Sequence, residues 1–400
     1  MSTPCICEAE EKICQDESAP KSPLKAAELE ARLAEVRAEI DSVDSAVLKL
    51  LNQRAALSRE VGRIKAGATD GVFKPLREHE LLNKLTAKNP GDLPEEHLRS
   101  IWREILSSSR ALQRPQDVAY LGPEGTFSFF AGLEYLGHSA TYHPCRDIAE
   151  IFEMVNDGQC ELGIVPLENS LQGTVGVSFD LFLKYPVYIQ AELFSRISHC
   201  FLSKAHDFSS INTIYSHPQP LAQCSSWLRT RLPYASLVPV ESTASAARRA
   251  TVTPNSAAIG HSGLAVMLSL NILASRIEDA PGNWTRFVVI SAKKAKLPRQ
   301  EKPLADKTSV LFTLQDKPGA LSMVLDCLAS SSINMRKLES RPLRGETWKY
   351  VFFADVECDL EAKAYAGLVE KLMACCNTFR ILGSYVTGPQ LDRTPQGQMN

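Results

Sequence analysis

Residues 50–65 read LLNQRAALSREVGRIK, and the fold of the N-terminal part follows from how this stretch continues the pattern before it. Apolar side chains recur at Leu29, Leu33, Val36, Ile40, Val43, Val47 and Leu50, in alternating steps of four and three, and the seam runs on through Leu57, Val61 and Ile64. That spacing marks one face of a helix. No proline occurs from Leu24 to Lys74, so the spacing predicts a helix of about 40 residues, roughly 60 Å long. Such a rod cannot bury its seam inside a small domain and calls for a partner helix from another chain. Gly67 and Gly71 close it. A second helix is expected from about Pro75 to Lys88, broken by Asn89-Pro90-Gly91. A third starts near Pro94, carries Glu95 and Glu96 at its positive end, and runs to about Gln113.

Arg54 falls on the seam where an apolar residue is due. A buried guanidinium is costly unless an anion meets it. Lys65, eleven residues on, returns to nearly the same azimuth, since eleven residues make about three turns. Arg37 lies one position off the seam, and on the third helix Ser109 and Gln113 share a face at i, i+4. Taken singly, such charges are most often solvated flank residues. Converging on a helical interior, they describe a pocket for a small dianion.

The pattern changes at Pro115. Short apolar runs at Val118–Leu121, Leu162–Pro166, Val187–Ile189, Thr213–Tyr215 and Phe287–Ile290 alternate with helical patterns, which predicts an α/β domain with a largely parallel sheet. Five strings stand out: GPEGTFS at 122–128, PLENS at 166–170, SHPQ at 216–219, ESTAS at 241–245 and NWTRF at 283–287. Glycine- and hydroxyl-rich turns at helix starts bind anions through free backbone N–H groups. Individually each reads as a loop or an N-cap, Ser242 and Thr243 above all. No Ser-His-Asp order, zinc-ligand spacing or complete dinucleotide fingerprint is present.

After a lysine- and proline-bearing linker, 293–306, the order is strand Thr308–Leu314, helix Gly319–Ser330, hairpin Ile333–Arg341 and Thr347–Val356, helix Glu361–Cys375 and strand Phe379–Val386. This βαββαβ order folds as a small independent unit.

The net charge of -2 supplies no basic face for nucleic acid. No run of about 18 apolar residues offers a membrane span. The polar stretch 1–23 has no apolar signal core, so a protein of the cytoplasm, or of a compartment reached without a cleaved secretory signal, is expected. Cys5, Cys7 and Cys14 sit in this leader without a histidine or a second ligand pair, and no metal or cofactor is expected.

Residues 24–114 resemble the all-helical chorismate mutases, through VRAEID, LLNQRAALSREVGRIK, LREHELL and SSSRALQ. The resemblance implies that Arg54, with Arg37 from a partner chain, holds the two carboxylates of chorismate. It implies that Lys65 and Gln113 donate to the ether oxygen, that Glu78 meets the substrate hydroxyl, and that Arg77 and Ser109 line the pocket. Lys74 stands where some relatives carry a carboxylate. Residues 115–292 resemble the prephenate dehydratases through the five strings and YSHPQPLAQC at 215–224. The family fold is two-lobed, like periplasmic binding proteins. Thr285 is then the expected donor to the departing hydroxyl, with Glu168, Asn169, Ser170, Thr174, Ser216, Gln223 and Arg286 around the substrate prephenate. Residues 307–388, with PGALS at 318–322 and NMRKLESRP at 334–342, resemble the ferredoxin-like ACT regulatory domains. That implies phenylalanine as effector at Gly319, Ala320, Leu321, Asn334, Glu339, Ser340 and Arg341; Ser322 departs from a common valine. Residues 389–400 are left as a tail. The whole is expected to be a bifunctional homodimer. The alternative is a regulated dehydratase whose helices only dimerise; a solute-binding protein or a dehydrogenase fusion fits less of the sequence.

Overall fold

A computed structural model describes residues 26–65, 71–294, 305–342 and 350–392. The leader with its three cysteines, Gly67, residues 295–304 of the linker, residues 347–349 of the hairpin and the tail from 393 lie outside the described residues. The chain falls into two compact units, Met1–Leu57 and Ser58–Asn400.

The first unit carries most of α1, Ala26–Ile64, a 39-residue helix. Its seam is a continuous exposed stripe: Ile40 is 53%, Val43 60% and Leu57 62% exposed. The expected single long helix and its uncovered apolar face are therefore both present.

The second unit begins with the end of α1 and continues with α2 (Pro75–Ala87) and α3 (Glu95–Gln113). Pro75 sits at the first position of α2, where its missing N–H costs nothing. Gly62 lies against the backbone of Gln113; a Cβ there would be 2.9 Å from Gln113 Cα. Glycine alone permits this approach, which brings the ends of α1 and α3 together.

Next come β1 (Asp117–Leu121), α4 (Phe127–Leu136), β2 (Thr141–Cys145), α5 (Ile148–Asn156), β3 (Leu162–Asn169), β4 (Gly173–Thr174), α6 (Gly176–Lys184) and β5 (Tyr188–Arg196). The chain then builds a second sheet from β6 (Cys200–Ser203), β7 (Thr213–Ser216), α7 (Pro218–Gln223), α8 (Ser225–Arg231), β8 (Ser236–Pro239), α9 (Thr243–Val252), β9 (Ser256–Gly260), α10 (Gly263–Leu268) and β10 (Asn271–Ala274). It returns to the first sheet with β11 (Trp284–Ser291). The expectation of a largely parallel sheet is corrected. There are two mixed sheets, ordered β5-β11-β3-β1-β2 and β10-β6-β9-β7-β8. β11 runs antiparallel to both β3 and β5, because the returning chain enters the first sheet from the edge at which β5 left it.

The C-terminal part is β12 (Lys307–Thr313), α11 (Ala320–Ser330), β13 (Met335–Pro342), β14 (Tyr350–Val356), α12 (Ala366–Cys375) and β15 (Thr378–Tyr385). It forms one sheet in the order β13-β14-β12-β15, as the βαββαβ pattern predicts. Val310, Phe312, Val324, Leu328 and Leu372 are its core. A last strand, β16 (Gln390–Leu391), pairs in parallel with β5, so these two residues of the segment read as a tail extend the first sheet.

Candidate active sites

In the helical part, Arg37 is exposed and Arg54 half-buried along α1. Lys65 follows Gly62 by three residues and so shares its face, toward the end of α3 where Gln113 sits. Gln113 Nε2 donates to Ser109 O at 3.1 Å, and the buried Ser109 Oγ donates to Ile105 O at 2.7 Å. Both groups are satisfied within their own helix, so a ligand has to exchange with these bonds. Arg77 is exposed. Glu78 takes two hydrogen bonds from Arg110 Nη1, at 2.7 and 2.6 Å. Arg110 lies inside the quoted SSSRALQ string, yet periodicity offers no signal for it. Its partner is another helix, which spacing along one helix does not reveal.

Four of the five dehydratase-like strings meet in pairs for a topological reason. β1 and β3 are parallel, as are β7, β8 and β9, so the loops that follow them share one edge of each sheet. β11 is antiparallel to β3, with Thr285 opposite Asn169 and Arg286 opposite Glu168, so the start of NWTRF lies beside the end of PLENS. Across the cleft, Gly125 of the first string adopts φ +93°, and a Cβ there would lie 3.3 Å from that of Ala244 in ESTAS. The ring of Phe127 stands edge-on to both His199 and His261, at 5.6 and 5.4 Å.

Asn169 organises the centre. Its Oδ1 accepts from the backbone N–H groups of Leu171 and Gln172, at 3.1 and 3.0 Å. That fixes the amide orientation, so Nδ2 donates to Thr285 Oγ1 at 3.0 Å and to Asn283 Oδ1 at 2.7 Å. Thr285 is buried and receives this hydrogen bond on its oxygen, which leaves its own O–H as a donor. Ser170 ties the loop down: its Oγ donates to Gly282 O and accepts from Trp284 N. Asn283, quoted within NWTRF without a role, is the second acceptor of the Asn169 amide.

The other expected residues divide. Gln223 Oε1 lies 2.7 Å from His199 Nε2, while His199 Nδ1 is buried without a partner. Burial lowers the His199 pKa despite the raising effects of Gln223 and Glu278, so the ring is neutral and its Nε2–H holds the Gln223 amide. Ser216 is fully buried and donates to Ile259 O at 2.8 Å, a bond that ties β7 to β9. Ser242 accepts from Ser245 N at 3.0 Å and caps α9, the role its position suggested.

Arg286, expected around the substrate, is 6% exposed. Successive residues of a strand point to opposite faces, so Arg286 points away from Thr285 into a buried ionic cluster. Its Nε donates to Glu192 Oε2 at 2.8 Å, its Nη1 to Asp355 Oδ2 at 2.5 Å and its Nη2 to Tyr385 Oη at 3.1 Å. Lys307 Nζ joins Glu192 at 2.6 Å. Burial pulls the Arg286 pKa down, but Tyr385, Asp355 and Glu192 outweigh it and the net shift is upward.

β13 contributes what the sequence left out. Along it, alternate residues are exposed, and the less exposed set faces the dehydratase-like part. Lys337 Nζ lies 3.0 Å from Glu168 Oε2 and 3.3 Å from Thr174 Oγ1, and Thr174 Oγ1 donates to Glu339 Oε2 at 3.0 Å. Arg341 lies over Gly176, with Nε 3.8 Å from Asp180 Oδ1. Glu339 and Arg341, expected at the effector, contact residues 174–180. Ser340 is exposed on the other face. Gly319 (φ +80°) precedes α11, which opens with Ala320 and Leu321, and Asn334 Nδ2 donates to Glu357 Oε2 at 2.7 Å.

Among the described residues no group of three or more His, Cys, Asp or Glu could hold a metal ion, and no helix is long and apolar enough to cross a membrane.

Residues 36–114 match the family model for chorismate mutase type II, and residues 118–295 match that for prephenate dehydratase. The bifunctional chorismate mutase/prephenate dehydratase of Aquifex aeolicus is 39% identical over 358 residues, covering 88% of this chain and 97% of the relative. Among solved structures, a prephenate dehydratase from Arthrobacter aurescens in complex with L-Phe is 33% identical, with a TM-score of 0.60. It covers 68% of this chain and 90% of that one. GqqA, described as a novel type of quorum quenching acylase, is 31% identical with a TM-score of 0.61, covering 68% of this chain and 98% of its own.

Proposed function

The chain belongs to the bifunctional chorismate mutase/prephenate dehydratases, and on that premise we propose how its residues divide the work. It rearranges chorismate to prephenate and then converts prephenate to phenylpyruvate with loss of carbon dioxide and water. The first reaction is a unimolecular pericyclic rearrangement, needing neither nucleophile nor proton transfer. Its residues have to hold the compact conformer and stabilise charge growing on the ether oxygen. Arg54 clamps one carboxylate, Lys65 and Gln113 serve the ether oxygen, Glu78 takes the hydroxyl, and Arg77 and Ser109 line the pocket.

Arg37 and Arg54 are 17 residues apart on one helix, a rise of about 25 Å. One small dianion cannot span that distance, so the Arg37 that meets it comes from a second copy of α1. The exposed seam of α1 supports the same homodimer.

In the second reaction the bonding pair of the departing carboxylate enters the ring, hydroxide leaves, and a proton converts it to water. Thr285 hydrogen-bonds that hydroxyl through its O–H while solvent supplies the proton that completes the water, and Asn169, by occupying the Thr285 oxygen, aims the donor. This single geometry carries the dehydratase assignment. Ser170 and the His199-held Gln223 orient prephenate; Glu168, Thr174 and Ser216 stand at the rim and floor of the site. The two sheets act as two lobes, like those of periplasmic binding proteins, that close over the cleft and exclude water.

The C-terminal sheet acts as an ACT domain that senses phenylalanine. The N–H groups of Gly319 and Leu321 at the start of α11, beside Ala320 whose own N–H donates to Lys317 O, suit the carboxylate of an amino acid. Asn334 leads from there into β13, whose Lys337 and Glu339 touch Glu168 and Thr174. An effector that repositions β13 therefore acts on the substrate loop directly. The buried free thiols of Cys145, Cys160, Cys200, Cys224 and Cys358 suit the reducing cytoplasm.

The test is to incubate the purified protein with chorismate and to follow prephenate and phenylpyruvate separately, with and without phenylalanine. Phenylpyruvate accumulation that phenylalanine suppresses is the expected result. Intact chorismate with added prephenate still consumed would leave a regulated dehydratase whose helices only pair the chains.

A further inference from the structure

Glu78 is the carboxylate assigned to the mutase substrate, and Arg110 is what holds it. Arg110 is 4% exposed in the last turn of α3, so the orientation of its guanidinium is set by packing and not by solvent. One nitrogen, Nη1, reaches both oxygens of Glu78 at 2.7 and 2.6 Å. Nε donates to Gln116 Oε1 at 3.2 Å, and Nη2 donates to Leu136 O. The plane stands over the Phe73 ring at 5.6 Å. Each edge of the group is therefore fixed by a different segment: α2, the connection into β1, and the end of α4.

The socket at Leu136 has a physical origin. Leu136 is the last residue of α4, where carbonyls lack helical partners and the helix dipole is negative. Two guanidinium groups of α3 meet this end, since Arg103 Nη1 also donates to Glu134 O at 3.1 Å. At its other end α4 begins directly after the GPEGTF turn of the dehydratase cleft. A dehydratase helix thus supplies the fixed point from which the mutase carboxylate is held. A carboxylate offers about four lone-pair directions. Arg110 uses two, and Glu78, with its side chain 20% exposed, keeps the others for a hydroxyl.

We propose that Arg110 is a positioning residue for the chorismate rearrangement. It acts through Glu78, and the end of α4 sets the geometry it imposes. This rests on the assignment of Glu78 to the mutase site.

The test uses the full-length chain with Glu78→Gln, Arg110→Met, the double variant, Arg110→Lys and Arg103→Met. Mutase kcat and KM are measured with chorismate, and dehydratase turnover with added prephenate. Glu78→Gln and Arg110→Met should each lower mutase kcat tenfold or more, with dehydratase turnover within twofold. The double variant should be no worse than Glu78→Gln alone, because both changes remove one function. Arg110→Lys should recover part of the loss, and Arg103→Met should leave the mutase unchanged. Normal mutase turnover in Arg110→Met beside an impaired Glu78→Gln would overturn the proposal alone. So would losses that multiply in the double variant, or an Arg103→Met loss equal to that of Arg110→Met, which would reveal simple docking. An unimpaired Glu78→Gln would remove the Glu78 assignment, and the proposal with it.

Discussion

Lys337 of β13 and Glu168 at the end of β3 form an ion pair of 3.0 Å across the junction between the C-terminal sheet and the dehydratase sheet. The lysine side chain is only 12% exposed, and it also reaches Thr174. A shift of β13 therefore cannot leave Glu168 where it is. Lys337→Ala should raise the phenylalanine concentration needed for half-inhibition several-fold while uninhibited turnover stays within about threefold, in line with couplings of 1–3 kcal/mol. Inhibition curves on the purified variant check this, and an unchanged midpoint would place the signal path elsewhere.

Thr285→Val removes the O–H that Asn169 aims while keeping the shape of the side chain. Dehydratase kcat should fall by about 10²–10⁴ with the affinity for prephenate little altered. Mutase activity in the same preparation serves as the internal control. Near-normal turnover would remove Thr285 from the mechanism.

Arg54→Ala should abolish the mutase reaction, because one carboxylate of chorismate loses its counter-charge. Dehydratase turnover with supplied prephenate should stay within about twofold, since none of the dehydratase residues lies on α1. The two assays, run on a variant shown to be folded, decide it. Equal losses in both would contradict separate sites.

Arg286→Met leaves Glu192 and Asp355 buried at 0% and 1% exposure without their shared cation. Breaking such a cluster from one side costs about 3–5 kcal/mol. A large fall in the unfolding midpoint is expected, against little change for Thr285→Val. Equal midpoints for the two variants would show that Lys307 alone neutralises the cluster.

Glu134 shows how pH enters. Burial raises its pKa from 4.5 to about 7, with Arg103 lowering and Asp392 raising it further; His261 stands 3.9 Å away. Between those values the folded chain keeps a proton that the unfolded chain has released, so stability falls as pH rises through that window, by roughly 2–3 kcal/mol. Glu134→Gln removes the loss, and its urea midpoint relative to the parent should climb between pH 5 and pH 8. His261, lowered to about 4 by burial and by His199, pulls the other way but does so in both proteins. A constant difference across that range would mean that Glu134 is ionised throughout.

The sequence by itself determined the elements and their chemistry. The four-three spacing from Leu29 to Ile64 returned a single helix, the βαββαβ order returned one sheet, and the five strings fell at strand ends. These are local properties: period, turn residues and capping groups act within a few positions of the chain. Tertiary structure decided which face and which partner each residue has. Thr285 and Arg286 are neighbours in sequence, yet the two-residue period of a strand sends one to Asn169 and the other to Asp355 and Tyr385. Gln390 and Leu391 read as tail because a two-residue strand has no pattern of its own, and only the open edge of β5 gives it one. Arg110 looked like any helical arginine until α2 and α4 were packed against it. A buried charge takes its meaning from the groups around it, and those come from distant parts of the chain.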